Sequence, residues 1–243
     1  MKAIILAAGR GSRLLTLTDD RPKCLVKLHG KPLINWQVEA LQGSGIKEIL
    51  VVRGYLKDMI SGDFETRENP RWSETNMVAS MMCAKDWLED SPCIVSYSDI
   101  IYPSEAVLKL MATSHPLSML YDTNWKTLWE KRFDDPLSDA ESFALDENGF
   151  VRDIGRPNVS LDEIHGQYMG LLKFTPESTT WLSELLDNNQ KLCDTMAMTD
   201  LLSTLIKQSK SVAGIPWDGT WCEVDDQKDL KVAEELFIAK TTL

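Results

Sequence analysis

An apolar run at residues 2–6 (KAIIL) gives way to Ala7, Ala8, Gly9, Arg10, Gly11, Ser12 and Arg13. Small residues let backbone N–H groups approach phosphate oxygens closely, and glycine admits dihedrals that other residues avoid. Arg13 adds a forked cation. The stretch therefore has the composition of a phosphate cradle, although a Gly-x-Gly turn by itself also serves as a plain structural turn. It lacks the Gly-Lys-Ser/Thr ending of a Walker A loop, and Leu14 stands where a dinucleotide fingerprint needs its third glycine.

Two carboxylates are placed to act on what such a cradle would hold. Asp99 follows the apolar run 93–97, and Asp225 follows the run 220–224. A parallel sheet presents the carboxyl ends of its strands to ligands, so together the pair could chelate magnesium, with triphosphate oxygens and water completing the shell. The same position also suits a helix cap or a turn residue. Further along, Tyr121, Asp122, Trp125, Trp129, Glu163, Gln167, Tyr168 and Trp221 bring aromatic rings and carboxylates together in sequence, as a box for an amine or quaternary ammonium would. Tryptophans near strands also pack in cores and rims. His29, His115 and His165 show no ligand spacing with one another and are assigned no catalytic part.

The elements that must hold these residues alternate. Residues 2–6 read as a buried strand, followed by a loop to about residue 23; helical spacing over 32–41 and a second apolar strand over 48–52 complete a βαβ unit. A helix at 75–88, a strand at 93–97, a helix at 104–112 and a strand at 117–121 continue the pattern. The expected fold is therefore α/β, a doubly wound, mostly parallel Rossmann-like sheet. From about residue 142 the runs 143–145, 151–154 and 168–174 are strand-like and separated by turns, which predicts a small antiparallel extension on the acceptor side. Helices at 177–186 and 199–208, strands at 212–215 and 220–224 and a closing amphipathic helix at 227–239 follow. A chain of 243 residues with 43% hydrophobic content can bury one core, so one domain over 1–243 is expected.

Composition narrows the partners. With 26 basic and 37 acidic residues the net charge is −11, which argues against nucleic acid or an anionic membrane as the main partner. Residues 1–31 nevertheless carry seven basic side chains against two acidic ones, a local basic segment able to receive a polyphosphate, or else a solvated loop. No apolar run approaches a bilayer span and no leader pattern opens the chain, so a soluble cytoplasmic protein is expected. The five cysteines are scattered without CxxC spacing, so reduced thiols are expected in place of disulfides or a zinc site.

The full string LAAGRGSRL followed by TDDRPKCLVKLHGKPLI resembles the nucleotidyltransferases of the nucleoside-diphosphate-sugar and CDP-choline type. The resemblance continues through Gly54-Tyr55, Glu74-Thr75-Asn76-Met77, Ser96-Tyr97-Ser98-Asp99 and Glu223-Val224-Asp225, and the compact phosphocholine cytidylyltransferase-like branch fits best. Thr16 stands in place of a usual proline, and Ser98 in place of a frequent glycine. The resemblance implies transfer of CMP from CTP to a small phosphate- or phosphonate-bearing acceptor with release of pyrophosphate and with Mg²⁺ as cofactor; a homodimer is compatible with it. Lys23 would contact the α-phosphate and the acceptor. Arg13 and the amides of Gly9, Arg10, Gly11 and Ser12 would hold the β- and γ-phosphates. Leu6, Ala8, Gly54, Tyr55, Thr75, Asn76, Ser80 and Ser98 would meet the nucleotide, while Asp99 and Asp225 would bind the metal. Attack of one anion on another makes charge neutralisation and in-line positioning the main catalytic tasks, which suits lysine, arginine and magnesium. A sugar-1-phosphate uridylyl- or thymidylyltransferase and a non-catalytic nucleotide-binding regulatory module are the competing readings.

Overall fold

The first strand, β1 (Lys2–Ala7), is buried on both faces because it lies between two parallel neighbours, which is why its sequence is continuously apolar. Ala3, Ile5 and Ala7 join one core cluster and Ile4 and Leu6 the other, the two-residue period of a pleated strand. The computed structural model describes residues 1–237. The remaining strands of the main sheet are β2 (Ile49–Arg53), β3 (Glu65–Glu68), β4 (Cys93–Tyr97), β5 (Leu117–Asp122), β6 (Gln167–Phe174) and β7 (Ala213–Trp217). Their spatial order is β7-β5-β6-β4-β1-β2-β3, and β6 alone among them runs antiparallel to its neighbours.

Helices cover both faces. The helices are α1 (Leu33–Gly43), α2 (Met77–Met82), α3 (Lys85–Asp90), α4 (Ser104–Met111), α5 (Trp125–Arg132), α6 (Pro176–Leu186), α7 (Gln190–Thr195), α8 (Met198–Lys207) and α9 (Gln227–Leu236). Apolar residues of α1, α4, α5 and α9 pack in the cluster that holds Ile5, and those of α2, α3, α6, α7 and α8 pack in the cluster that holds Ile4. Each fully buried leucine or isoleucine in these layers contributes roughly 1.5–3 kcal/mol. Among the described residues, no helix is long and apolar enough to cross a membrane.

Several expectations are corrected. The run 168–174 sits inside the main sheet between β4 and β5 and not in a peripheral extension; only Phe143–Leu145 and Val151–Ile154 form the small antiparallel pair. The helix expected over 75–88 is two helices, broken where Ala84 leaves helical dihedrals (φ −110°, ψ 25°). The strand expected over 220–224 shrinks to Cys222–Glu223. The closing helix ends at Leu236, and its expected last positions, 238 and 239, lie outside the described residues. Strand β3 gave no sequence signal because ETRE is polar on both faces, which an edge strand tolerates.

Candidate active site

The loop after β1 is pinned before it is charged. Leu14 is fully buried, Thr18 Oγ1 donates to the Gly11 carbonyl at 3.0 Å, and residues Ser12–Thr18 wind into a 3-10 helix. Gly11 has φ +74°, and a Cβ there would stand 2.7 Å from Cβ of Lys23. The loop and the lysine stem thus touch through a position only glycine can fill. Gly11→Ala combines a strained dihedral with that clash; we expect a loss of at least about tenfold in kcat/KM, measured by pyrophosphate release, with the protein still folded by circular dichroism.

The two strand-end aspartates, far apart in sequence, converge because their segments zip together. Cys222–Glu223 pairs antiparallel with Ile100–Ile101, and Val224 N donates to the Asp99 carbonyl at 2.8 Å. Helix α1 braces this junction through Gln37, whose Nε2 donates to the Ile100 carbonyl at 2.7 Å. Lys23 then lies between the carboxylates, donating from Nζ to Asp99 Oδ2 at 2.6 Å and to Asp225 Oδ1. Arg13 reaches the other oxygen of Asp225 at 2.8 Å from the solvent side. Burial alone would lower the Lys23 pKa, but the charges of Asp99 and Asp225 outweigh it and hold the ammonium above its ordinary value.

Glu223, part of the Glu223-Val224-Asp225 match but given no role there, is the third member. Oxygen atoms of Asp99, Glu223 and Asp225 lie within 4.8 Å of one another, a carboxylate triad suited to a hard divalent cation. Asp99 Oδ1 is buried with no hydrogen-bond partner among the described residues, an orphan acceptor such a cation would satisfy. Burial, with Asp225 and Asp99 adding to it, raises the Glu223 carboxyl above its ordinary value against the opposing pull of Arg132 and Lys23.

Beside the triad opens a cavity of about 340 Å³, lined in part by Arg13, Glu223 and Asp225 and on its other walls by Tyr97, Trp129, Tyr168 and Trp221. Asp139, Glu141, Ser142 and Thr199, none anticipated, also face it. The register of β6 shifts between Tyr168 and Leu172, and Gly170 at φ +75° would place a Cβ 2.9 Å from the Tyr97 ring, so this irregular strand shapes the cavity wall.

Of the acceptor residues expected from sequence, Trp129, Gln167, Tyr168 and Trp221 line the cavity; Tyr121, Asp122, Trp125 and Glu163 do not. Tyr121 packs on Phe143 at 4.8 Å between ring centroids, and Trp125 is buried against Trp129 at 6.1 Å. Asp122 Oδ2 accepts from Trp221 Nε1 at 2.8 Å, so it anchors a wall residue. Glu163 is spent on Arg156 at 2.9 Å and on capping its own turn at Ser160. Gln167 lines the cavity yet uses its side-chain amide on the backbone of Glu141, with Nε2 donating to the carbonyl at 2.7 Å.

The expected nucleotide residues fall into two groups. At the loop, Tyr55 N donates to the Ala8 carbonyl at 2.9 Å, and Gly54 passes so close that a Cβ would stand 2.6 Å from that same oxygen. Leu6 is buried and offers only backbone, while Gly9 has open space at its Cβ position. The Arg10 guanidinium lies 5.5 Å from the Tyr55 ring centroid and pairs with Asp19 at 2.9 Å. In the second group, Asn69 Nδ2 donates to both Thr75 Oγ1 and Ser80 Oγ at 3.0 Å, and Asn76 caps α2. Asn69 was missed because nothing local distinguishes it. Ser98, half-buried, simply links Tyr97 to Asp99.

Comparison with known proteins shows the family. The MobA-like NTP transferase domain family matches residues 3–125. The CTP:phosphoglutamine cytidylyltransferase of Campylobacter jejuni is 39% identical over 97% of this chain and 100% of its own length. The choline-phosphate cytidylyltransferase of Streptococcus pneumoniae is 41% identical over 37% of this chain and 42% of its own. In fold, the inositol-1-phosphate CTP transferase of T. maritima superposes with a TM-score of 0.74 at 19% identity, covering 98% of this chain and 96% of that one. The family match and these relatives place the chain in the MobA-like nucleotidyltransferase family, in its cytidylyltransferase branch.

Proposed function

We propose that the chain transfers CMP from CTP to a phosphorylated acceptor that carries an ammonium group at its far end, phosphoglutamine being the leading example, and releases pyrophosphate. The observation that carries this reading is the convergence of Lys23 and Arg13 with three carboxylates beside a cavity whose remaining charge is acidic. Phosphates meet cations at one end. At the other, burial raises the Asp139 and Glu141 carboxyls above their ordinary range, and Asp139 and Asp200 push Glu141 further up. An ammonium from the acceptor would relieve that repulsion and donate hydrogen bonds to both. The C. jejuni relative matches along its whole length, which favours phosphoglutamine over phosphocholine as the first acceptor to test.

In the reaction, the loop amides from Gly9 to Ser12 and Arg13 would take the departing β- and γ-phosphates, and Leu6, Ala8 and Gly54-Tyr55 would bound the base. Lys23 would leave its two carboxylates for the α-phosphate as charge develops there. Asp99, Glu223 and Asp225 would hold a magnesium ion, which bound with the triphosphate supplies positive charge at the reacting oxygens. The two ligands approach from different ends of the crevice, so positioning and neutralisation supply the catalysis without a covalent enzyme intermediate. The setting proposed is cytoplasmic, with the CDP product feeding assembly of a surface polysaccharide.

Pyrophosphate release with magnesium, measured for CTP, UTP and dTTP against phosphoglutamine, phosphocholine, 2-aminoethylphosphonate and hexose 1-phosphates, tests this. CTP with an ammonium-bearing acceptor is expected, and Glu141→Gln should raise that acceptor's KM about 10–100-fold while leaving the KM for CTP near wild type. UTP or dTTP with a hexose phosphate would replace the reading with a sugar nucleotidyltransferase. Nucleotide binding without turnover on any pair would indicate a regulatory module.

A further inference from the structure

We propose that Arg132 is a positioning residue that, locked onto Asp229, fixes the geometry of the carboxylate triad. The inference rests on the reading that the triad holds a divalent cation. Arg132 sits in the last turn of α5, and its side chain is fully buried. Its Nε donates to Asp229 Oδ1 at 2.8 Å and its Nη2 to Asp229 Oδ2 at 3.1 Å, a two-point grip on a carboxylate that is itself 2% exposed. The same Nη2 donates to Glu223 Oε2 at 3.1 Å. Asp229 Oδ2 also accepts from the backbone N–H of Asp225 at 2.9 Å, and the backbone N–H of Asp229 is held by the cap residue Asp226 at 2.9 Å.

One ion pair thus touches two of the three carboxylate residues by different routes. It holds the side chain of Glu223 directly and the backbone of Asp225 through Asp229. Rings of Trp129 and Phe133 lie 4.9 and 5.0 Å from the guanidinium carbon and confine it, and Trp129 is also a wall of the cavity. A guanidinium removed from water is expensive unless paired, and a single carboxylate already neutralises it. The second contact, to Glu223, places positive charge at the rim of the triad, where it lets three anions converge without occupying their centre. Lys23 takes the central place and must vacate it for a cation, whereas Arg132 is immobilised by the bidentate geometry that lysine cannot reproduce.

Outer contacts of this kind typically change metal affinity by about 10–100-fold. The test measures Mn²⁺ binding by electron paramagnetic resonance, with CTP and without acceptor, for wild type, Arg132→Lys and Asp229→Asn. Lysine keeps the charge but loses the fork; asparagine keeps an acceptor for the Asp225 N–H but weakens the grip on Arg132. Both should bind Mn²⁺ roughly 10–100-fold more weakly, and the Mg²⁺ concentration for half-maximal turnover should rise by the same factor, with kcat at saturating Mg²⁺ largely retained. A folded variant with wild-type Mn²⁺ affinity overturns the proposal. Loss of fold in both variants by circular dichroism also overturns it, because the pair would then be structural only. Failure of the wild type to bind Mn²⁺ would instead overturn the metal reading on which the proposal rests.

Discussion

Lys23→Met is expected to lower kcat by roughly 10³-fold, about 4 kcal/mol of transition-state stabilisation, while the KM for CTP rises far less. The expectation follows from where the ammonium rests. It lies between Asp99 and Asp225, next to the loop that Gly11 opens, and in the proposed reaction it would exchange carboxylate partners for phosphate oxygens. A contact that strengthens as charge develops acts on kcat, and methionine keeps the volume and none of the charge. Equal losses in CTP binding and in turnover would rule out a transition-state role.

The same substitution has a second signature. With the ammonium gone, Asp99 and Asp225 face each other and Glu223 without a bridging cation, and removing one partner of a buried ion pair costs about 3–5 kcal/mol. Lys23→Met should therefore melt well below the wild type in chelator. Divalent cation then has the central position to itself, and binding to the folded state alone restores about 2.7 kcal/mol at a hundred times its Kd. Thermal melts with and without Mn²⁺ should show a larger metal-induced rise for the variant than for the wild type. An equal rise in both proteins would mean that lysine and metal do not compete for one place.

What the sequence revealed and what it hid divide along physical lines. The run KAIIL, most of the alternation of elements to residue 121 and the loop glycines are local signals, set by burial on both faces of a strand and by backbone dihedrals; they appear in the structure near the expected boundaries, apart from the split helix over 75–88 and the polar edge strand Glu65–Glu68. Asp99 and Asp225 were legible as strand-end carboxylates. Glu223 was not, because two residues before an aspartate it reads as an alternating strand position, and only the pairing of Cys222–Glu223 with Ile100–Ile101 turns it toward its partners. Arg132 lies on a short helix whose sequence WKTLWEKR has little amphipathic contrast, so nothing local marks its guanidinium as buried. The aromatic segment 121–125 misled for a related reason: composition put rings and acids together, but the turn from β5 into α5 spends Asp122 on Trp221 and buries Trp125. Long-range pairings, unlike periodicity, leave no trace in a single sequence.

Asp225→Asn should cost about as much turnover as Lys23→Met, by a different route. Asparagine keeps the shape of the side chain and leaves the backbone N–H on Asp229, so the fold around α9 has little reason to change. What disappears is the anionic charge shared by Lys23, Arg13 and the proposed cation. A carboxylate in a hard-cation site is not replaced by an amide without loss, and a triad reduced to Asp99 and Glu223 should need roughly 10–100-fold more Mg²⁺ for half-maximal activity, on top of a kcat loss of about 10³-fold. Mn²⁺ titration separates the two variants: Lys23→Met keeps or tightens metal binding, while Asp225→Asn weakens it. The double variant carries the decisive comparison. If lysine and aspartate serve one step as a unit, its kcat should fall little below that of either single variant, since groups that act together are not additive. Full multiplication of the two losses, toward roughly 10⁶-fold, would instead assign Lys23 and Asp225 to independent tasks and separate the lysine from the carboxylates that hold it.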